Sequence, residues 1–129
     1  MGTRRGPASI AATLATAADE LRLAVRASDP AEASGLAQLR DTGWQLTRLT
    51  GELTDLVALL AEHTGHHIQH PQGIICPADG ATTEHLARAC RELAALRHAL
   101  DTAHTASRDY YTAISLLSPA GPDSLRPSP

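Results

Sequence analysis

Apolar residues recur every three to four positions along most of the chain, the period of an α-helix with one buried face. Ile10, Leu14, Ala17, Leu21 and Val25 form the first such stripe. Pro7 suits a first-turn position, where its missing N–H has no intrahelical partner anyway. The stripe stops at Ser28, so a helix is expected over residues 7–28. Asp29-Pro30-Ala31-Glu32 then supplies a cap, a proline for the first helical position and a carboxylate that can reach back to the cap. A second helix is expected from residue 30 to 64, antiparallel to the first because the turn between them is so short.

The second helix carries Leu39, Leu46, Leu49, Leu53, Leu56 and Leu60 on a coiled-coil-like seam that only Thr42 interrupts. Beside it lies an arc of small residues, Gly43, Thr47, Thr50, Thr54, Val57, Ala58 and Ala61, which lets another helix approach closely. Two such faces imply two neighbours. A third helix is expected over residues 82–117, with Leu86, Ala89, Leu93, Leu96, Leu100, Ala103, Ser107, Tyr110, Ile114 and Leu117 as a seam complementary to the leucines. Residues 65–81, with two prolines and three glycines, form a connector that Ile68, Ile74 and Ile75 should fold back over the bundle end. The four prolines after Ser118 predict a disordered tail over 118–129. The expected fold is all-α: one domain over residues 1–117, an elongated antiparallel three-helix bundle in which a long hairpin carries the shorter N-terminal helix.

Composition strengthens the helical assignment. Of the apolar residues, 24 are Ala and 18 are Leu, whereas Val and Ile together number seven and Phe is absent. Strands favour β-branched and aromatic side chains, and helices favour Ala and Leu. The net charge of -3, with eleven basic residues spread along the chain, offers no footprint for nucleic acid. No run of about 20 apolar residues predicts a membrane span. Arg4 and Arg5 precede the run Ala8–Ala18, but Ser9, Thr13 and Thr16 dilute it too far for an export signal, so a cytoplasmic protein is expected. Cys76 and Cys90 are then expected as free thiols. All eleven cations are Arg. Together with the alanine excess, this predicts a GC-rich coding sequence and a bacterial, specifically actinobacterial, source.

Candidate chemistry concentrates in His63, His66, His67 and His70, with Cys76 six residues further on. His63 with His67, and His66 with His70, have the spacing that places two imidazoles on one helical face for zinc or another transition metal. Gly65 and Pro71 argue against both pairs sharing one regular helix. The competing reading is a helix C-terminus, where His is favoured beside unpaired carbonyls. The carboxylates lack the Glu-x-x-His of di-metal bundles, since Glu62 precedes His66 by four residues. Ser107, the only hydroxyl on its seam, has no His and acid beside it in sequence and reads as a small packing residue. No glycine-rich phosphate loop is present. Neither an enzymatic activity nor a bound cofactor is therefore expected.

Trp44, at the border of the polar arc of the second helix, reads as a core filler between helices or as an anchor at a protein interface, and with Arg48 it marks a candidate interaction surface. Tyr110 is expected in the core and Tyr111 at its edge. The expected function is a non-enzymatic protein–protein interaction module, an adaptor or regulatory subunit, self-associating as a two-fold homodimer. The alternative is a metal-binding protein that uses the His-rich connector.

Overall fold

The computed structural model describes residues 9–70, 72 and 81–120. The protein is all-α: α1 spans Ile10–Ala27, α2 Leu36–Gln69 and α3 Thr82–Ser115. Among the described residues there is no strand. The chain divides into two units, residues 1–34 and 35–129.

In the first unit, Ser9 caps α1 by accepting a hydrogen bond from the Ala12 amide at 3.0 Å. Pro7 lies outside the described residues. The helix ends where the Ser28 hydroxyl donates to the Ala24 carbonyl at 2.9 Å. Its apolar stripe, including Leu14, Leu21 and Val25, is exposed along its length. Beyond it, Asp29 acts as a cap, its carboxylate accepting from the Ala31 amide at 2.9 Å and its carbonyl from the Glu32 amide at 3.0 Å. The turn does not propagate, and α2 begins only after Gly35. Extending one turn into a helix needs tertiary support, which Ala33, Ser34 and Gly35 cannot provide because they bring no large apolar side chain.

The second unit is an antiparallel hairpin of α2 and α3, with Gly43 beside Tyr110 and Thr50 beside His104. Its seam is the arc of small residues on α2. Gly43, Thr47, Thr50 and Val57 are buried there, and Val57, 5% exposed, is the one buried apolar side chain of size among the described residues. The threonines suit such a seam because their polarity is satisfied locally. The hydroxyls of Thr47 and Thr54 donate to the carbonyls of Gly43 and Thr50 at 2.9 and 3.0 Å, and that of Thr50 donates to the Leu46 and Thr47 carbonyls. Their methyl groups are left to meet α3.

On α3 the packed face keeps much of the expected seam and widens it by one position: Ser107 is buried and Leu86, Leu93, Leu100, Ala103 and Ile114 are half-buried, joined by Cys90, His104 and Tyr111, whereas Ala89, Leu96, Tyr110 and Leu117 are exposed. Tyr110, expected in the core, is 42% exposed and lays its ring beside Gly43, while Tyr111 takes the inner position. The leucine seam of α2 flanks this contact and does not form its centre. Leu46, Leu49 and Leu60 are 45%, 43% and 38% exposed, and Leu39, Leu53 and Leu56 are half-buried. Helical spacing puts Leu96, Ala99, Ala103, Ala106 and Tyr110 of α3 on the same side of the hairpin. The result is one apolar face without a charged residue between Leu46 and Leu60 of α2 or between Leu96 and Tyr110 of α3 along these stripes.

The helix expected to stop at residue 64 continues through Gly65 to Gln69, which shortens the connector. One glycine inside a helix costs about 1 kcal/mol, a penalty that a helix of this length tolerates. Pro71, Ile74, Ile75 and Cys76, and the tail from residue 121, lie outside the described residues.

Candidate functional site

The side of the hairpin away from the leucines is polar and concave. Trp44, Arg48, Gly51 and Asp55 succeed one another by four, three and four residues, so they form one stripe on α2. With Thr47, Glu52 and Thr54, and with Asp101 and His104 of α3, they line an open cleft of about 560 Å³. Gly51 helps make the depression, because no side chain projects from it toward His104.

Trp44 is 49% exposed, and its ring leans on Tyr111 with centroids 5.4 Å apart. It is therefore a supported wall of the cleft rather than a filler between helices. Arg48 donates from Nη1 to Gln45 Oε1 at 3.1 Å and forms no ion pair with Glu52, one turn on.

His104 is held in a definite orientation. Its Nδ1 lies 3.1 Å from the Thr47 carbonyl and 3.1 Å from Thr50 Oγ1. A carbonyl can only accept, and the Thr50 proton is already directed at helix carbonyls. Nδ1 therefore carries the hydrogen in the neutral ring, and Nε2 is left as an acceptor. Sequence reasoning placed Trp44 and Arg48 on this surface and missed Asp101 and His104. The fourfold and threefold steps from Trp44 to Asp55 were readable as a stripe, but nothing in the spacing shows which part of α3 lies across from it.

The His-rich end has a different geometry from the one expected. His63, His66 and His67 all lie on α2, and His70 is its C-cap, with its backbone N–H bonded to the His66 carbonyl at 3.0 Å. Both pairs thus keep helical spacing despite Gly65. The rings of His66 and His70 have centroids 4.7 Å apart, and those of His66 and His67 are 5.9 Å apart. All four are exposed, so His63 and His67 extend the line of the leucine seam without capping a core. Among the described residues no three His, Cys, Asp or Glu side chains are grouped to hold a metal ion. Cys76, the fifth candidate ligand, lies outside them.

No family model matches the chain, and no curated protein or solved structure is similar to it at a significant level. Fold and surface define it as an all-α protein built on a helical hairpin with one apolar and one polar, concave face. No helix among the described residues is long and apolar enough to cross a membrane.

Proposed function

We propose that the protein is a non-enzymatic helical interaction module that works as a homodimer, with the leucine face of each hairpin covered by a second copy. The observation behind this reading is the exposure of Leu46, Leu49 and Leu60 in a hairpin that buries one large apolar side chain, Val57. Covering the exposed two-fifths of each leucine contributes about 1 kcal/mol, so the three together favour association. A second copy is the natural cover because a face without charges does not repel itself, and a two-fold axis presents each leucine twice. Trp44 and Arg48, on the opposite side, stay available to another molecule.

Sedimentation equilibrium of the full chain tests the dimer. The expected result is a dimer at micromolar concentration, and a monomer throughout the micromolar range removes this reading.

A metal-binding role for the end of α2 is the second reading. What favours it is the pairing of His66 with His70 on a helix that continues past Gly65. Zinc titration of untagged protein decides between the two readings, because a ligand that binds the folded state raises its melting temperature. An increase that saturates near one equivalent and disappears in His66→Ala assigns the end to metal. With two exposed imidazoles alone, the expected melting temperature is unchanged.

A further inference from the structure

The cleft beside Trp44 is one-sided in its hydrogen bonding. The hydroxyl protons of Thr47 and Thr54 are committed to the Gly43 and Thr50 carbonyls, so both oxygens offer the cleft only lone pairs. His104 spends its Nδ1 hydrogen on the Thr47 carbonyl and keeps Nε2 as an acceptor. Glu52, Asp55 and Asp101 are acceptors as carboxylates, and none is in an ion pair, the one pair among the described residues being Arg22 with Asp19. The donors are the indole N–H of Trp44 and Arg48, whose Nη1 is turned to Gln45. The acidic groups and His104 do not gather into a metal site. What remains is a cleft that accepts hydrogen bonds, carries excess negative charge and has an exposed aromatic wall.

We propose that this cleft binds a small organic cation with an ammonium or guanidinium head and an apolar body. The head sits at the end of the cleft lined by Asp55 and Asp101, where a donor-rich cation finds charge-assisted acceptors. The body runs along α2 toward the Trp44 ring, which attracts cationic and apolar groups alike. Trp44 and Asp55 are eleven residues apart, about 16 Å along the helix axis, so the body is extended rather than globular. The cleft, of about 560 Å³, has room for a small molecule of this length. This site is independent of the leucine face and of the oligomeric state.

Trp44 is the only tryptophan, so its emission reports on the cleft without a label. The experiment titrates the full chain with 6-phenylhexylamine, long enough to reach from the carboxylates to the Trp44 ring, and, separately, with 6-phenylhexanoate, which has a closely similar body and the opposite charge. The expected result is a saturable change in Trp44 emission, matched by calorimetric heat, with the amine and none with the carboxylate. Asp55→Asn combined with Asp101→Asn should weaken the amine by about tenfold or more, with the helical circular dichroism unchanged because both side chains are exposed. Leu49→Glu, on the other face, should leave amine binding intact. Equal responses to the two probes, no saturation at millimolar amine, or unchanged binding by the double asparagine variant would each overturn the proposal. Binding of an arginine-containing peptide but not of the amine would overturn it too, and would give the cleft to a protein partner.

Discussion

Replacing Gly43 with valine is expected to destabilise the hairpin by about 2 kcal/mol or more, at the upper end of what overpacking a close contact costs. A Cβ at this position stands 3.0 and 3.1 Å from two carbons of the Tyr110 ring and 3.5 Å from the Tyr111 Cα. The exposed Tyr110 ring can swing aside for one methyl. The γ-methyls of valine would also crowd the backbone of Tyr111, which cannot move without parting the helices. Gly43→Ala is therefore expected near neutrality, its gain in helix propensity offset by the displaced ring. Gly51→Ala has the opposite sign. Its Cβ would meet His104 at 3.6 Å, an ordinary contact, so the helix keeps the propensity gain of about 1 kcal/mol. Thermal melts of the three variants check this order, and a Gly43→Val melt equal to that of Gly51→Ala would contradict the close approach of α3 at Gly43.

Leu49→Glu is expected to dissociate the proposed dimer. The side chain is 43% exposed and lies outside the hairpin seam, so the hairpin itself tolerates a carboxylate there. In a two-fold interface the same substitution appears twice, burying two unpaired like charges. The expected cost is about 3 kcal/mol or more per dimer, above a hundredfold in the dissociation constant. Sedimentation of wild type and variant at matched concentrations reads this directly. An unchanged dissociation constant would move the interface elsewhere on the molecule.

The helices were legible because alanine and leucine favour one conformation and the three-to-four spacing fixes its period. The pairing of their faces was not. On α2 the leucines advertise the stronger apolar signal, yet α3 packs on Gly43, Thr47, Thr50 and Val57. The arc of small residues was readable as a helix contact, but two adjoining faces were on offer, and spacing alone does not say that α3 takes the one whose threonine hydroxyls turn to the preceding carbonyls and leave methyls outward. The same ambiguity exchanged Tyr110 for Tyr111, because adjacent residues on a helix differ by only about 100° and either could head the seam. Asp29 shows the converse, a helix-start signal whose capping bonds form without a helix following. The place of Trp44 and Arg48 at the polar border was legible, whereas the cleft they line was not. His104 was not, since its role depends on Thr47 and Thr50, which lie more than fifty residues away in sequence.

The scarcity of buried apolar side chains in the hairpin also fixes its thermodynamics. A seam of threonines around Val57, flanked by half-buried leucines, releases less apolar surface when it opens than a fully buried leucine core would, so the heat capacity change and denaturant slope of the hairpin are expected to be modest for its length. In the proposed dimer, covering the leucines would add the negative heat capacity of apolar burial, so association is expected to weaken on cooling while the helices stay formed. The protein is thus expected to lose its partner in the cold before it loses its fold.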